Sequence, residues 1–310
     1  MEAVELRGRV MASELHIVAI GATAAMLDDA VDRLEHLERC WSRFIPTSDI
    51  SRINTVRSGG LAVDDSTLTL LNTMIEGYRL TEGRFDPRVL PALVAQGYAA
   101  SRVDPTRTTV LPATDAPPAS LEAIRLDPAA GMVDVPTGLA LDPGGIGKGL
   151  AADLAVARLV ALGARGALVS IGGDLAMAGE TPVPEGWLVA VEQADPADGT
   201  LCTLAVSGGG VATSSTRSRR WVVDGTERHH QIDPATSLPS TTDLAAVTII
   251  ARAGWLAEVH ATAAMACGSA GALGYMAAHG LSGIAIGHDG TVHRSPDLAG
   301  IEMRTPAGAR

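Results

Sequence analysis

Apolar residues recur at three- and four-residue spacing over residues 23–41, where Met26, Ala30, Leu34, Leu37 and Trp41 share one face and predict a helix. The preceding segment, residues 11–20, predicts a strand. A second helical stretch covers residues 66–80. Over residues 99–119 the chain turns to Pro, Thr, Asp and Ser, a composition that predicts a surface excursion. Residues 124–135, IRLDPAAGMVDV, predict a hairpin with Asp127, Pro128 and Gly131 in its turn. A Gly-rich turn at Gly144 then leads into an amphipathic helix ending near Leu162, a short buried strand at 167–171 and a Gly-Gly turn at Gly172. Further strands are expected at 187–192, 201–206, 219–223 and 245–251. Helices over 256–267 and on to His279 precede a closing hairpin turned at Asp289-Gly290. There is no internal repeat and no linker long enough to separate independent units. A single domain over 1–310 is therefore expected, with residues 1–8 and 296–310 peripheral. Hairpins interleaved with crossovers predict an α+β fold of mixed or antiparallel sheets with packed helices.

Composition narrows the functional classes. With 46% hydrophobic and 19% charged residues the chain can bury a large core, and with 3% aromatics that core must be aliphatic. A net charge of −11 and the scarcity of aromatic platforms argue against nucleic acid as a partner. Cys40, Cys202 and Cys267 are odd in number and widely spaced, which fits free thiols in a reducing compartment. The first residues show no basic region followed by an apolar run, and no uncharged apolar stretch reaches the ~18 residues of a membrane span. The expectation is a cytoplasmic protein without a membrane span.

Of 24 lysines and arginines, Lys148 is the only lysine, and it lies in the glycine-rich turn GGIGKG. The spacing matches neither a Walker A loop nor the dinucleotide-binding fingerprint. A Gly-rich turn opening a helix still presents backbone N–H groups and a positive dipole end, so it reads either as an anion site or as a tight strand-to-helix turn. In VSIGGDLAMAGE a glycine pair directly follows a strand, where a ligand could approach the backbone or a strand could simply end. RHHQIDP gathers His229, His230 and Asp233, a potential proton acceptor with a carboxylate nearby or a solvated turn before Pro234. AEVHATAAM places Glu258 and Thr262 four residues apart on one helix face. They could be two oxygen ligands for a hard cation, or a solvated acid and a hydroxyl bonded back to its own helix. TEGRFDPRVLPAL and WSRFIPTSDISRIN read as a loop and as a helix end followed by a capped turn. HExxH, paired CxxC and GxSxG are absent, which removes support for zinc proteases and nucleophile-elbow hydrolases.

In this order the segments resemble the ApbE family of FAD:protein FMN transferases. The resemblance rests on residues 42–54, 83–93, 144–153, 172–174, 213–214, 230–239 and 258–262 and covers nearly the whole chain. It implies an ApbE-like two-lobed domain with FAD between the lobes. The implied reaction splits FAD at its pyrophosphate, attaches FMN to a Ser or Thr hydroxyl of an acceptor flavoprotein and releases AMP. Carried over by position, the flavin site would use Met11, Phe44, Arg84, Phe85, Asp86, Lys148, Leu154 and Ile232. Mg²⁺ would be held by the Ala151 carbonyl, Glu258 and Thr262, with Ala261 close by, and His230 would be the base. The chain departs from the family pattern at Glu258, where an Asp is usual, and at Ser215 and Ser237, where glycines are usual. It also has Leu150 where an aromatic is usual. A metal-dependent FAD pyrophosphatase and a non-catalytic FAD-binding protein are the alternative readings.

Overall fold

The computed structural model describes residues 3–303. Its centre is an eight-stranded antiparallel sheet, ordered Ala3–Val10, Ser13–Ile20, Gly166–Ile171, Asp174–Gly179, Gly209–Ser215, Leu244–Ala251, Ser282–Gly287 and Val292–Arg294. Seven α-helices surround it among the described residues: α1 (Ala24–Trp41), α2 (Asp49–Thr55), α3 (Asp65–Leu80), α4 (Leu90–Ala95), α5 (Gly147–Ala161), α6 (Gly254–Ala266) and α7 (Gly268–Ala278).

Alternation along the strands divides the core. Leu15, Ile17 and Ala19, with Ala167, Val169 and Ile171, join the cluster formed with α1 and α5. Ile20 and Leu168 face the other way, against Trp187, Val189 and Leu204 of a three-stranded sheet (Trp187–Glu192, Thr200–Val206, Glu302–Met303) that covers the second face. Val247 and Ile249 pack with α6 and α7 in a third cluster. The fold is thus α+β with an antiparallel sheet, as the hairpin pattern predicts, and its core is built from Leu, Ile, Val and Ala.

Several boundaries differ from expectation for identifiable reasons. The strand expected over 11–20 begins at Ser13, because Met11 and Ala12 form a tight turn with φ of 51° and 58°. That turn carries none of the Gly or Asn that usually announces positive φ, so the preceding strand Ala3–Val10 was not foreseen. On α1 the buried residue of the first turn is Leu27, while Met26 turns its sulfur toward the Thr23 N–H. Residues 49–55 form a true helix capped by Ser48, whose Oγ accepts the Ser51 N–H at 3.0 Å.

The ends expected to be peripheral are partly built in. Ala3–Val10 is the edge strand of the main sheet, Leu298 is 1% exposed, and Glu302–Met303 pairs with Thr200–Val206. Residues 1–2 and 304–310 lie outside the described residues.

Candidate active site

A cleft opens where the start of α5, the middle of α6, the strand beginning at Asp174 and the link bearing His230, between two short hairpins, converge. The Gly-rich turn is anchored from behind. Asn54, 3% exposed at the end of α2, accepts the Leu141 N–H at 2.7 Å and donates to the Leu141 carbonyl at 2.9 Å. Arg43, also buried, reaches Asp142 at 3.2 Å and the Tyr98 carbonyl at 3.1 Å. Gly145 stays open to the cleft, because a Cβ there would sit 3.2 Å from the Phe85 ring and 3.6 Å from Thr262 Oγ1.

Lys148, in the first turn of α5, extends its ammonium between two carboxylates, Asp174 and Glu258. It donates to Glu258 Oε1 at 2.6 Å and makes a very short contact with Asp174. Both acid side chains are only 5% exposed. The other oxygen of Glu258 accepts the Gly149 N–H at 2.8 Å. The anion favoured by this helix start is therefore supplied from inside the protein, by α6. The approach depends on a bare backbone, since a Cβ on Gly149 would lie 2.5 Å from the Gly254 carbonyl. Burial pushes the Glu258 carboxyl up even though Lys148 opposes it, while the two carboxylates hold the ammonium firmly protonated. With both acids ionised, one cation faces two anions and the set keeps one negative charge. Thr262 sits one helical turn along α6 from Glu258, with its Oγ1 3.2 Å from Ser214 Oγ. The carboxylates and hydroxyls are hard-oxygen donors of the kind Mg²⁺ takes, and the Lys148 ammonium sits between the two carboxylates, where such an ion would displace it.

His230 lines the same cleft. Burial, reinforced by the charges of Arg219 and Lys148, drives its pKa well below the usual histidine value, so the ring is neutral near pH 7. Its Nδ1 is buried without a hydrogen-bond partner among the described residues, and Nε2 lies 3.4 Å from the Gln231 amide. A neutral imidazole at a cleft can accept a proton from a hydroxyl brought to it.

Of the residues singled out from the sequence, Arg84, Phe85, Asp86, Lys148, His230, Ile232, Glu258 and Thr262 come together around the cleft. Arg84 pairs with Glu82 at 2.7 Å, and Asp86 is held by Arg88 at the same distance. Five others do not line it. Met11 lies behind it, its N–H bonded to Glu38 at 2.9 Å, and Ser13 takes the lining position. Phe44 stands back, its ring 6.1 Å from that of Tyr98, which reaches the cleft instead. Leu154 points along α5 into the core, and Ala151 and Ala261 are fully buried on α5 and α6, where only their backbone could serve a ligand.

The departures are largely accommodated. Ser237 has φ of 58° but lies exposed in the turn between Asp233 and Leu238, away from the cleft. Ser215 lines the cleft, yet its Oγ is folded onto backbone, donating to the Ala245 carbonyl and accepting the Arg217 N–H, each at 3.0 Å. Leu150 is core.

Asp174, Tyr98, Ser13 and Arg219 also line the cleft and are not among the site residues expected from the sequence. Asp174 had a signal, a carboxylate directly after the glycine pair whose φ values are 59° and 89°. Tyr98 was one aromatic in an aromatic-poor chain. Ser13 and Arg219 carry no pattern.

Comparison with known proteins bears on the family and the fold. The model of the ApbE family matches residues 11–285. A FAD:protein FMN transferase of Vibrio cholerae is 27% identical over 279 residues, covering 86% of this chain and 82% of its own. One from Salmonella typhimurium is 26% identical over 258 residues, covering 79% and 73%. The crystal structure of the ApbE protein of Thermotoga maritima superposes with a TM-score of 0.83 at 23% identity, covering 98% of this chain and all of that one. The apo flavinyl transferase ApbE of Pseudomonas stutzeri gives 0.79 at 23% identity over 96% and 97%. With the family model spanning most of its length and the same fold throughout, this chain belongs to the ApbE family.

Proposed function

We propose that this protein is a FAD:protein FMN transferase, which moves FMN from FAD to a Ser or Thr hydroxyl of an acceptor flavoprotein and releases AMP. The observation that carries the reading is the joint placement of Lys148, Asp174, Glu258 and the neutral His230 around one cleft. Phosphoryl transfer asks a protein mainly for positioning and charge neutralisation, and these side chains supply a proton acceptor and oxygen donors for a cation that would neutralise charge.

The diphosphate of FAD would lie at the Gly-rich turn, where Gly145 leaves room, and the positive charge beyond that already matched to Lys148 would come from Mg²⁺ held beside it. Phe85, Ile232 and Tyr98 give apolar surface for the rings. The acceptor hydroxyl oxygen attacks the phosphorus on the FMN side and the bridging P–O bond breaks. AMP departs with the bridging oxygen, and the hydroxyl proton passes to the His230 imidazole. Glu258, Thr262 and the Ala151 carbonyl, with Ala261 beside them and Asp174 adding a second carboxylate, would hold Mg²⁺. That ion would neutralise charge on the phosphate oxygens. Glu in place of the usual Asp adds one methylene, roughly 1.5 Å of reach. It uses that reach to meet Gly149 and Lys148.

The cytoplasmic reading is supported by Cys40, Cys202 and Cys267 being unpaired. Among the described residues no helix is long and apolar enough to cross a membrane.

The test is flavin transfer by His230→Ala and Lys148→Arg variants. Loss of transfer with FAD binding retained is expected for His230→Ala. Weakened FAD binding is expected for Lys148→Arg, because the guanidinium keeps the charge but not the compact shape of the ammonium. Unchanged transfer by His230→Ala removes the histidine from the reaction.

A further inference from the structure

Away from the cleft, His36, Cys40 and Asp64 form a cluster that the flavin reaction leaves unused. His36 and Cys40 are one turn apart on α1, so their side chains share a face. Asp64 is the N-cap of α3 and meets that face. His36 Nε2 lies 2.9 Å from Asp64 Oδ2 and 3.6 Å from Cys40 Sγ, and the three ligand atoms all fall within 4.8 Å of one another.

We propose that these residues form a three-ligand site for a zinc-class divalent cation, with solvent in the fourth position. A tetrahedral ion with a sulfur ligand at ~2.3 Å and a nitrogen at ~2.0 Å separates the two atoms by roughly 3.5 Å. The observed sulfur-to-nitrogen separation already meets that value. The nitrogen-to-oxygen pair needs to open by only a few tenths of an ångström. Asp64 is held from behind: its Oδ1 accepts the Ser66 N–H at 2.9 Å and the Ser66 hydroxyl at 2.5 Å, which leaves Oδ2 aimed at His36. The Asp64 N–H is fixed in turn by Asp49 Oδ2 at 2.8 Å. Such outer partners set the direction of a ligating carboxylate.

Thiolate, imidazole and carboxylate together select a borderline-soft ion over Mg²⁺. The side chains of His36 and Asp64 are 36% and 32% exposed, so an ion enters from solvent. On binding, the Cys40 thiol proton is released and the imidazole presents the Nε2 lone pair with its proton on Nδ1. One dication then faces two anions, and the site is neutral. The bound ion would pin the last turn of α1 to the start of α3. The chain runs directly from that turn into Arg43, whose guanidinium lies 4.7 Å over the Tyr98 ring at the cleft, and Phe44, whose ring is tilted against it.

The experiment is a Co²⁺ titration of the full chain after chelator treatment, in excess Mg²⁺ so that hard-oxygen sites are filled, followed by displacement with Zn²⁺. The expected result is a near-ultraviolet thiolate-to-cobalt band that saturates at one equivalent with release of the thiol proton. Zn²⁺ should bleach it. Cys40→Ser should abolish it and Cys267→Ser should leave it intact. His36→Gln and Asp64→Asn should weaken Co²⁺ binding by about tenfold or more. Far-ultraviolet circular dichroism without metal checks each fold, and if Cys40→Ser fails to fold, the His36 and Asp64 variants carry the test. Absence of a thiolate band in the wild type overturns the proposal, as does a band that persists in folded Cys40→Ser or undiminished binding in both other variants.

Discussion

Lys148→Met removes the only cation among the described residues that pairs with Asp174 and Glu258. Both acids are 5% exposed, so the change leaves Glu258 with only the Gly149 N–H and Asp174 with no partner for its carboxylate among the described residues. Deleting one partner of a buried ion pair costs about 3–5 kcal/mol. Part of that cost is relieved by protonation, because burial has already raised the Glu258 carboxyl and loss of the ammonium raises it further. The sign of the pH dependence follows. A carboxyl whose folded pKa exceeds its unfolded value gives the folded state the extra proton in the window between the two. Stability therefore falls as pH rises through that window. Urea denaturation in chelator at pH 5.5 and pH 8 should show Lys148→Met destabilised at both, with the larger loss at pH 8. Adding Glu258→Gln should recover about 2 kcal/mol at pH 8, the coupling expected of contacting residues. Equal stability of wild type and Lys148→Met, within about 0.5 kcal/mol at both pH values, would refute the reasoning, because the ammonium would then not be offsetting buried charge.

Ser237→Gly should stabilise the protein by about 1 kcal/mol, since Ser237 holds φ of 58° and is exposed, so the change relieves left-handed strain and removes no packing. For a chain this long the melting temperature should rise by about 1–2 °C in calorimetry, and no rise would mean the turn is unstrained. Asp153 accepts the Gly254 and Trp255 N–H groups at the start of α6, yet burial raises its pKa to about 6. It should make stability decline by up to about 3 kcal/mol as pH rises from ~4 to ~6. Asp153→Asn should be less stable by about 1–3 kcal/mol, because its amide cannot accept both N–H groups, and should show a flatter slope across that range. An unchanged slope would assign the dependence elsewhere.

How far the sequence discloses this molecule depends on side-chain size. Helices α1, α3 and α5 and the strands rich in Val, Ile and Leu were legible, because large apolar residues repeat at the period of the element. The strands Asp174–Gly179 and Gly209–Ser215 were not, since Gly, Ala, Ser and Thr dominate them and their burial comes from neighbours rather than from their own bulk. Helix α2, of 7 residues, was too short to show a period. At the site, Lys148 was legible as the only lysine in a Gly-rich turn. Its partners were not, because Asp174 is 26 residues and Glu258 110 residues away. Only the antiparallel order of the sheet and the close crossing of α5 on α6 bring the three together. Tyr98 and Arg219 reach the cleft from a loop and a hairpin end, where no periodicity constrains position.

The most direct test of the proposed transferase is a mass and nucleotide balance. The purified chain is incubated with FAD and Mg²⁺, with and without an acceptor protein bearing a Ser/Thr flavinylation site. The account predicts AMP in step with acceptor consumed, an acceptor mass increase equal to one esterified FMN, and flavin fluorescence that stays on the acceptor under denaturing conditions. AMP with free FMN formed at the same rate whether or not acceptor is present, or FAD recovered intact in both, would contradict it.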